Sequence, residues 1–171
     1  MEGMLMERIA KKIEIAANVA IIIVALAVVL FFVKSYMTNR ADAHARISTG
    51  TKFALKDGNW QGSRKNVVLA LSTTCHFCTE SAGFYRELVQ ECQKQHAYTV
   101  AVLPQAVNEA TSYLKNEGVT VDEVRQGSFP DLQISGTPTV LLLDNSGMIK
   151  SVWFGKLSAD KEKEVLAKLG S

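Results

Sequence analysis

Two cysteines separated by two residues are the part of this chain best suited to chemistry. Cys75 and Cys78 enclose His76 and Phe77, and a third cysteine, Cys92, lies farther along the chain. A C-x-x-C pair can exchange thiols with disulfides, supply half of a zinc site, or form a structural crosslink. Three cysteines cannot all pair within one chain and are too few for a disulfide framework. The surrounding sequence must therefore decide between exchange, metal binding and crosslinking.

The sequence supplies few further metal ligands. A structural zinc ion needs about four ligands, but the chain has no second C-x-x-C and no H-x-x-x-H, and His44, His76 and His96 are scattered. We therefore expect no metal and no organic cofactor. The formal net charge is +2, and no cluster of lysine and arginine is interleaved with aromatic residues, so the sequence gives no indication of nucleic acid binding.

An apolar run near the N-terminus predicts a membrane anchor. Residues 15–33 contain Asn18 as their only polar side chain. A helix needs about 20 apolar residues to cross the hydrocarbon core, and a buried core helix of this length normally shows a polar face. A cleavable signal peptide has a shorter apolar run, and the A-x-A sequence at 43–45 lies beyond Lys34 and Arg40. We predict an uncleaved single-pass transmembrane helix.

The flanks of this run predict its orientation and the domain boundaries. Lysine and arginine are slightly more numerous just before the run than just after it. By the positive-inside rule, this bias and the short N-terminus favour residues 1–14 in the cytoplasm. Residues 34–49 are polar with scattered alanines and are predicted to form a spacer. Residues 50–171 would then form a single domain outside the cytoplasm.

The pattern of this domain alternates between short apolar runs and amphipathic segments. Strands are predicted at 65–71, 99–103, 139–143 and 148–154, and helices at 78–96, 107–116 and 158–169. A short helix or turn is predicted at 121–125, and a hairpin or strand at 53–60. The order β-α-β-α-β-β-α predicts an α/β domain with a mixed sheet, parallel at its start and ending in an antiparallel hairpin.

This order places Cys75 where a buried strand ends and a helix begins. The first amides of a helix lack intrahelical partners, and the helix dipole is positive there, so a thiolate is stabilised and becomes reactive near neutral pH. Cys78, one turn later, is placed to attack a mixed disulfide formed on Cys75. Cys92 falls on the helical stripe of Phe84 and Leu88, which predicts a buried, inert thiol.

A second motif completes a family resemblance. The C-x-x-C at a helix start and the sequence Gly136-Thr137-Pro138-Thr139 before a strand hairpin resemble the thioredoxin-like family. The stretch 134–155 is similar to its TlpA/ResA branch, membrane-anchored proteins of bacterial envelopes. The resemblance implies a thioredoxin fold, with Cys75 as nucleophile and Cys78 as resolving cysteine. It also implies that Pro138 is a cis-proline facing the disulfide and that the Thr137 backbone contacts substrate.

Several positions depart from the pattern of this branch. Thr74 stands where the branch usually has tryptophan, and His76-Phe77 lacks the usual proline. Ser81 stands where an acidic residue is often found, and Glu80 precedes it. His76 is either a residue that tunes the reduction potential or an exposed residue of little influence. Glu80 is either a proton-transfer group or a solvated acid. Phe77, expected to be exposed beside the cysteines, is a candidate substrate contact.

These features predict a thiol–disulfide oxidoreductase on the outer side of a bacterial inner membrane. Its partners would be protein thiols and disulfides and another redox protein, and the Cys75–Cys78 dithiol would be its only redox group. One alternative is an assembly factor or metallochaperone that uses the fold for binding without turnover. A peroxiredoxin-like peroxidase fits less well, since Ser72 and Val68 replace the threonine and proline of that family.

Overall fold

The computed structural model describes residues 23–26, 28–29 and 47–170. The chain divides into two compact units, Met1–Ala45 and Arg46–Ser171. The second unit contains both cysteines of the C-x-x-C pair and the G-T-P-T sequence, and its architecture determines how these motifs meet.

In the first unit, residues 23–26 and 28–29 are helical. They lie within the predicted anchor at 15–33, the rest of which is outside the described residues. The predicted cytoplasmic segment 1–14 and residues 34–46 of the spacer are outside them as well. Among the described helices, none is both long enough and apolar enough to cross a membrane.

Five strands and four helices are described in the second unit. The strands are β1 (Lys65–Ala70), β2 (Tyr98–Leu103), β3 (Glu123–Gln126), β4 (Thr139–Asp144) and β5 (Ile149–Phe154). The helices are α1 (His76–Glu80), α2 (Ala82–Lys94), α3 (Val107–Asn116) and α4 (Ala159–Gly170).

The strands form one mixed sheet in the order β3-β2-β1-β4-β5. β1 is parallel to β2 and antiparallel to β4, so Val67 pairs with Thr99 on one side and with Leu142 on the other. β3 adds in parallel to β2, and β5 forms an antiparallel hairpin with β4. The parallel start and the closing hairpin are as predicted. Because β1 lies in the middle and is covered on both faces, its residues 67–70 are continuously apolar.

The two faces of the sheet bury separate clusters of side chains, since alternate residues of a strand point to opposite faces. On one face Leu69 belongs to a cluster with Leu88 of α2 and Leu114 of α3. On the other face Val68 belongs to a cluster with Trp60, from the segment before β1. After β1 the chain passes to the helix-covered face, where α1 begins.

Three predicted elements differ in the structure. The single helix predicted at 78–96 is two helices, because Ser81 has φ −90° and ψ 3°, outside the helical range. The periodic apolar pattern continues across this break, which is why the sequence does not show it. The helix or turn predicted at 121–125 is wrong: Glu123–Gln126 is strand β3, a half-exposed edge strand with charged residues that lacks the apolar run of a central strand.

The hairpin or strand predicted at 53–60 is also wrong. This segment is irregular, and an isolated bridge between Lys52 and Met148 lies just before it. Phe53 and Trp60 are buried at its two ends with ring centroids 6.1 Å apart. Asp57, in the left-handed region at φ 56°, turns the chain between them. Side-chain packing rather than strand pairing therefore holds the segment on the sheet.

Candidate active site

Cys75 occupies the N-cap of α1, five residues after Ala70, the last residue of β1. Its backbone is extended, with φ −89° and ψ 109°, and its Sγ accepts a hydrogen bond from the Cys78 backbone N–H at 3.2 Å. The loop before it is fixed by backbone bonds from Leu71 to Val102 and from Cys75 to Ser72. An amide of the first helical turn thus points at the sulfur, which is the geometry that stabilises a thiolate.

The two cysteines have different environments. Cys75 is partly exposed, whereas the Cys78 side chain is fully buried, and both are free thiols. Burial, followed by the hydrogen bond with Cys75, raises the pKa of Cys78 to about 12. The exposed sulfur is therefore suited to meet a substrate, and the buried one to act only after a bond to Cys75 has formed.

The G-T-P-T sequence lies directly against the cysteine pair. The Cys75 thiol donates to the Thr137 carbonyl oxygen at 3.5 Å, and the Thr137–Pro138 peptide bond is cis. Pro138 O accepts from Gly155 N at 2.7 Å, and Thr139 begins β4. Residues that are far apart in the sequence thus form one surface with Cys75, as the family resemblance implies.

A set of exposed charged and aromatic side chains borders this surface. His76 Nε2 and Lys156 Nζ each lie 3.0 Å from a different oxygen of the Glu80 carboxylate. The hydrogen bond from Lys156 holds the pKa of Glu80 below its usual value. Phe77 is 54% exposed, as expected, and its ring centroid lies 5.9 Å from that of His76. Glu80 is thus an ion-paired surface acid at the end of α1.

Sequence analysis missed two contributors to the site. Lys156 reaches Glu80 from the loop after β5, and Gln105 reaches the loop before Cys75 from beyond β2. Gln105 Nε2 donates to Ser72 Oγ at 3.1 Å, and its Oε1 accepts from the Thr73 backbone N–H at 3.4 Å. Both contacts join residues far apart along the chain, so no local pattern indicates them.

The third cysteine is separate from this site. Cys92 lies on α2 and is fully buried. Burial, with a smaller contribution from the charge of Asp122, raises its pKa to about 12. The buried position is as predicted. No group of three or more potential metal-ligating side chains is found in the described part of the chain.

Comparison with known proteins identifies the fold. No protein-family model matches the sequence, and no curated protein is significantly similar to it. A protein from Chlorobium tepidum assigned as the thiol:disulfide interchange protein DsbE superposes with a TM-score of 0.58 at 23% identity, covering 72% of this chain and 99% of that one. The thioredoxin domain of a Bacteroides vulgatus thiol-disulfide oxidoreductase gives 0.58 at 14% identity, covering 73% and 99%.

A third solved structure agrees. A secreted Mycobacterium tuberculosis disulfide oxidoreductase, homologous to E. coli DsbE, gives a TM-score of 0.52 at 14% identity, covering 71% of this chain and 95% of that one. The second unit therefore has a thioredoxin-like fold, as the sequence predicts, and the three solved structures named above are of thiol–disulfide oxidoreductases or proteins assigned as such. In this fold the C-x-x-C pair and the cis-proline of the chain meet at one surface.

Proposed function

We propose that the chain is a thiol–disulfide oxidoreductase with Cys75 as nucleophile and Cys78 as resolving cysteine. The observation that carries this proposal is the contact from the Cys78 amide to Cys75 Sγ at 3.2 Å, made while the Cys78 thiol is buried behind it. This arrangement gives one accessible sulfur supported as a thiolate and a second sulfur held within the same helical turn.

In the reducing direction, the Cys75 thiolate attacks one sulfur of a protein disulfide. A Cys75–substrate bond forms, and the other substrate sulfur leaves as a thiolate that takes up a proton. Cys78 then loses its proton and attacks Cys75 Sγ. The Cys75–Cys78 disulfide forms, the second substrate sulfur is released, and two electrons have passed to the substrate. The same steps in reverse oxidise a substrate dithiol.

The surface around Cys75 suits a polypeptide substrate. The Thr137 carbonyl and Pro138 present backbone next to the reactive sulfur, and exposed Phe77 offers apolar area beside it. An extended substrate segment can bond to backbone groups while an apolar side chain packs on Phe77. We propose protein thiols and disulfides as substrates, with no metal or organic cofactor, because the dithiol itself carries the electrons.

We further propose that the protein belongs to the membrane-anchored TlpA/ResA type. The anchor would span residues 15–33 and place the thioredoxin-like domain on the outer side of a bacterial inner membrane, where a second redox protein would exchange electrons with it. The apolar sequence of the run supports this placement, as do the exposed apolar side chains of the helical residues Ile23, Val24 and Leu26.

Two assays of the purified full-length chain test the activity. Reduction of insulin disulfides and oxidative refolding of scrambled ribonuclease cover both directions, and we expect turnover in at least one. The Cys75→Ala variant should be inactive in both. If the wild-type chain fails both assays but binds Cu(I) tightly, the domain is a metallochaperone or assembly factor. Thiol-dependent consumption of hydrogen peroxide would instead indicate a peroxidase.

A further inference from the structure

Two buried hydroxyl groups lie at the break between α1 and α2. Ser81 joins the two helices and is 5% exposed, and Tyr85, one turn later, is 2% exposed. Neither Ser81 Oγ nor Tyr85 Oη has a hydrogen-bond partner among the described residues. The backbone here is fully bonded, since Ser81 N donates to Phe77 O and Tyr85 N donates to Ser81 O, each at 3.1 Å. The two side-chain hydroxyls are the unexplained groups.

These hydroxyls face the side of the helix that holds Cys78. Spacings of three and four residues place Cys78, Ser81 and Tyr85 on one helical face, and all three are buried. Burial raises the pKa of Tyr85, an interaction with the Ser81 side chain lowers it, and the neighbouring Cys78 and Tyr113 raise it further. A buried hydroxyl without a partner is unfavourable, so two of them beside one thiol point to a role in the chemistry of that thiol.

The resolving step requires such a group. The Cys78 thiol must lose its proton as its sulfur attacks Cys75, and its buried position separates it from bulk water. The exposed carboxylate of Glu80 is engaged by Lys156 and His76. The other titratable side chains around Cys78 are those of Cys75, Tyr85 and Tyr113. None of them is a carboxylate that accepts the proton.

We propose that Ser81 and Tyr85 form a hydroxyl relay that removes the proton from Cys78. The Cys78 proton passes along these hydroxyls as the Cys75–Cys78 bond forms and the Cys75–substrate bond breaks. The displaced substrate thiolate takes up a proton from solvent. Solvent hydroxide or a buffer base accepts the relayed proton, so charge and atoms balance. This inference rests on the proposed oxidoreductase activity.

A route to solvent continues from the relay. Tyr113 lies half-buried on α3, and its hydroxyl is 3.3 Å from the Thr79 hydroxyl, which is exposed. The charge of Tyr113 adds to the raised pKa of Tyr85. In the relay, the proton passes from Tyr85 by way of the Tyr113 and Thr79 hydroxyls to the surface. Ser81 and Tyr85 are positioning residues in this scheme, because neither contacts the substrate.

Reaction with 5,5′-dithiobis(2-nitrobenzoate) separates the two steps in the full-length chain. Attack by Cys75 releases one thionitrobenzoate at a rate that depends on reagent concentration. Attack by Cys78 on the resulting mixed disulfide releases a second thionitrobenzoate, at a rate that does not depend on reagent concentration. Stopped-flow traces are recorded from acid to alkaline pH for the wild type and for Ser81→Ala, Tyr85→Phe and the double variant. A Cys75→Ala/Cys78→Ala variant measures any thionitrobenzoate that is released by reaction of Cys92.

We expect the second phase of the double variant to slow by roughly 10- to 100-fold near neutral pH, within the range of proton-transfer assistance. The first phase should keep its wild-type rate. The difference in second-phase rate between the double variant and the wild type should shrink as pH rises, because solvent hydroxide then removes the Cys78 proton directly. Matched controls are Tyr98→Phe, at the opposite end of the sheet, and Ser112→Ala, exposed on α3; both should show wild-type rates in both phases.

The inference is overturned if the variants keep the wild-type second phase at every pH, or if both phases slow by the same factor. Thermal melting adds an independent measurement. If the two hydroxyls have no role, the double variant should melt at a higher temperature and keep the wild-type kinetics, and this outcome would also overturn the relay. A wild-type chain that releases no second equivalent would contradict the oxidoreductase proposal itself, so the two failures are distinguishable.

Discussion

The Cys78 backbone N–H points at Cys75 Sγ from 3.2 Å, while the Cys78 thiol is fully buried. One residue thus supports the charge of the reactive sulfur through its backbone and supplies the second sulfur through its side chain. Exchange chemistry needs both properties within one helical turn. This relationship separates the roles of the two cysteines and leads to a direct test of their reactivity.

Alkylation should distinguish the three cysteines. With iodoacetamide at neutral pH we expect rapid modification of Cys75 and slow modification of Cys78 and Cys92, because burial raises the pKa of each buried thiol to about 12 and only thiolates react readily. Peptide mass spectrometry after timed quenching measures the three rates. Modification of Cys92 as fast as that of Cys75 would contradict the burial that the structure assigns to it.

Replacing Phe77 by alanine should weaken the binding of protein substrates but not the reaction with small disulfides. Loss of an exposed apolar contact of this size is worth about 1–2 kcal/mol, or roughly 5- to 30-fold in KM. The insulin assay provides the KM, and reaction with a small aromatic disulfide serves as the control, since it does not need the apolar surface. An equal loss with both substrates would show that Phe77 acts on the cysteines rather than on substrate binding.

Replacing Glu80 by glutamine should lower the melting temperature slightly at neutral pH. The Lys156 hydrogen bond holds the pKa of Glu80 below its usual value of 4.5, so its contribution is present above that pH and is lost as the pH falls below it. The pair is exposed, so the effect should be small and should vanish at high salt. Glu87→Gln, an exposed change on α2, is the matched control. A deficit that persists in high salt would contradict an ion-pair origin.

Asp144 should make the fold sensitive to acid. Its Oδ1 accepts hydrogen bonds from the Ser146 hydroxyl at 2.6 Å, the Ser146 N–H at 2.9 Å and the Met148 N–H at 3.1 Å. Led by the Ser146 hydroxyl, these bonds lower the pKa of Asp144 from 3.8 to about 2. The stabilisation is therefore complete above pH 3.8 and is lost as the pH falls through 2.

The Asp144→Ala variant should consequently be less stable than the wild type at neutral pH, with the difference narrowing towards pH 2. Urea unfolding over this pH range measures it, and Asp131→Ala, an exposed change in a turn, is the control. A difference that is the same at neutral pH and at pH 2 would mean that the carboxylate charge does not stabilise the turn.

The sequence predicts most of the sheet, for physical reasons. β1, β2 and β4 are buried strands, and burial on both faces requires apolar residues at nearly every position, which makes them visible as runs. The β4–β5 turn is marked by Gly147, which has φ +79°. The sequence does not predict β3, because a half-exposed edge strand needs no such apolar run. It does not predict the segment around Trp60 either, because aromatic packing rather than a periodic pattern holds that segment in place.

The candidate site likewise contains residues that the sequence predicts and residues that it does not. Cys75 and Cys78 are predictable because exchange chemistry requires two cysteines at this spacing, whereas the role of Pro138 follows only from the family resemblance. The Lys156–Glu80 pair and the Gln105 contacts depend on the tertiary path of the chain. The unpartnered hydroxyl of Tyr85 cannot be inferred from a helical pattern in which tyrosine is an ordinary core residue.

The central claim is that Cys75 forms a mixed disulfide which Cys78 resolves. Trapping tests it most directly: the Cys78→Ala variant is expressed in cell envelopes, thiols are blocked by acid quenching and alkylation, and adducts are identified by mass spectrometry. We predict protein adducts attached through Cys75, released by reductant and absent from Cys75→Ala/Cys78→Ala. If no such adduct forms on Cys75 under either oxidising or reducing growth, the account is contradicted.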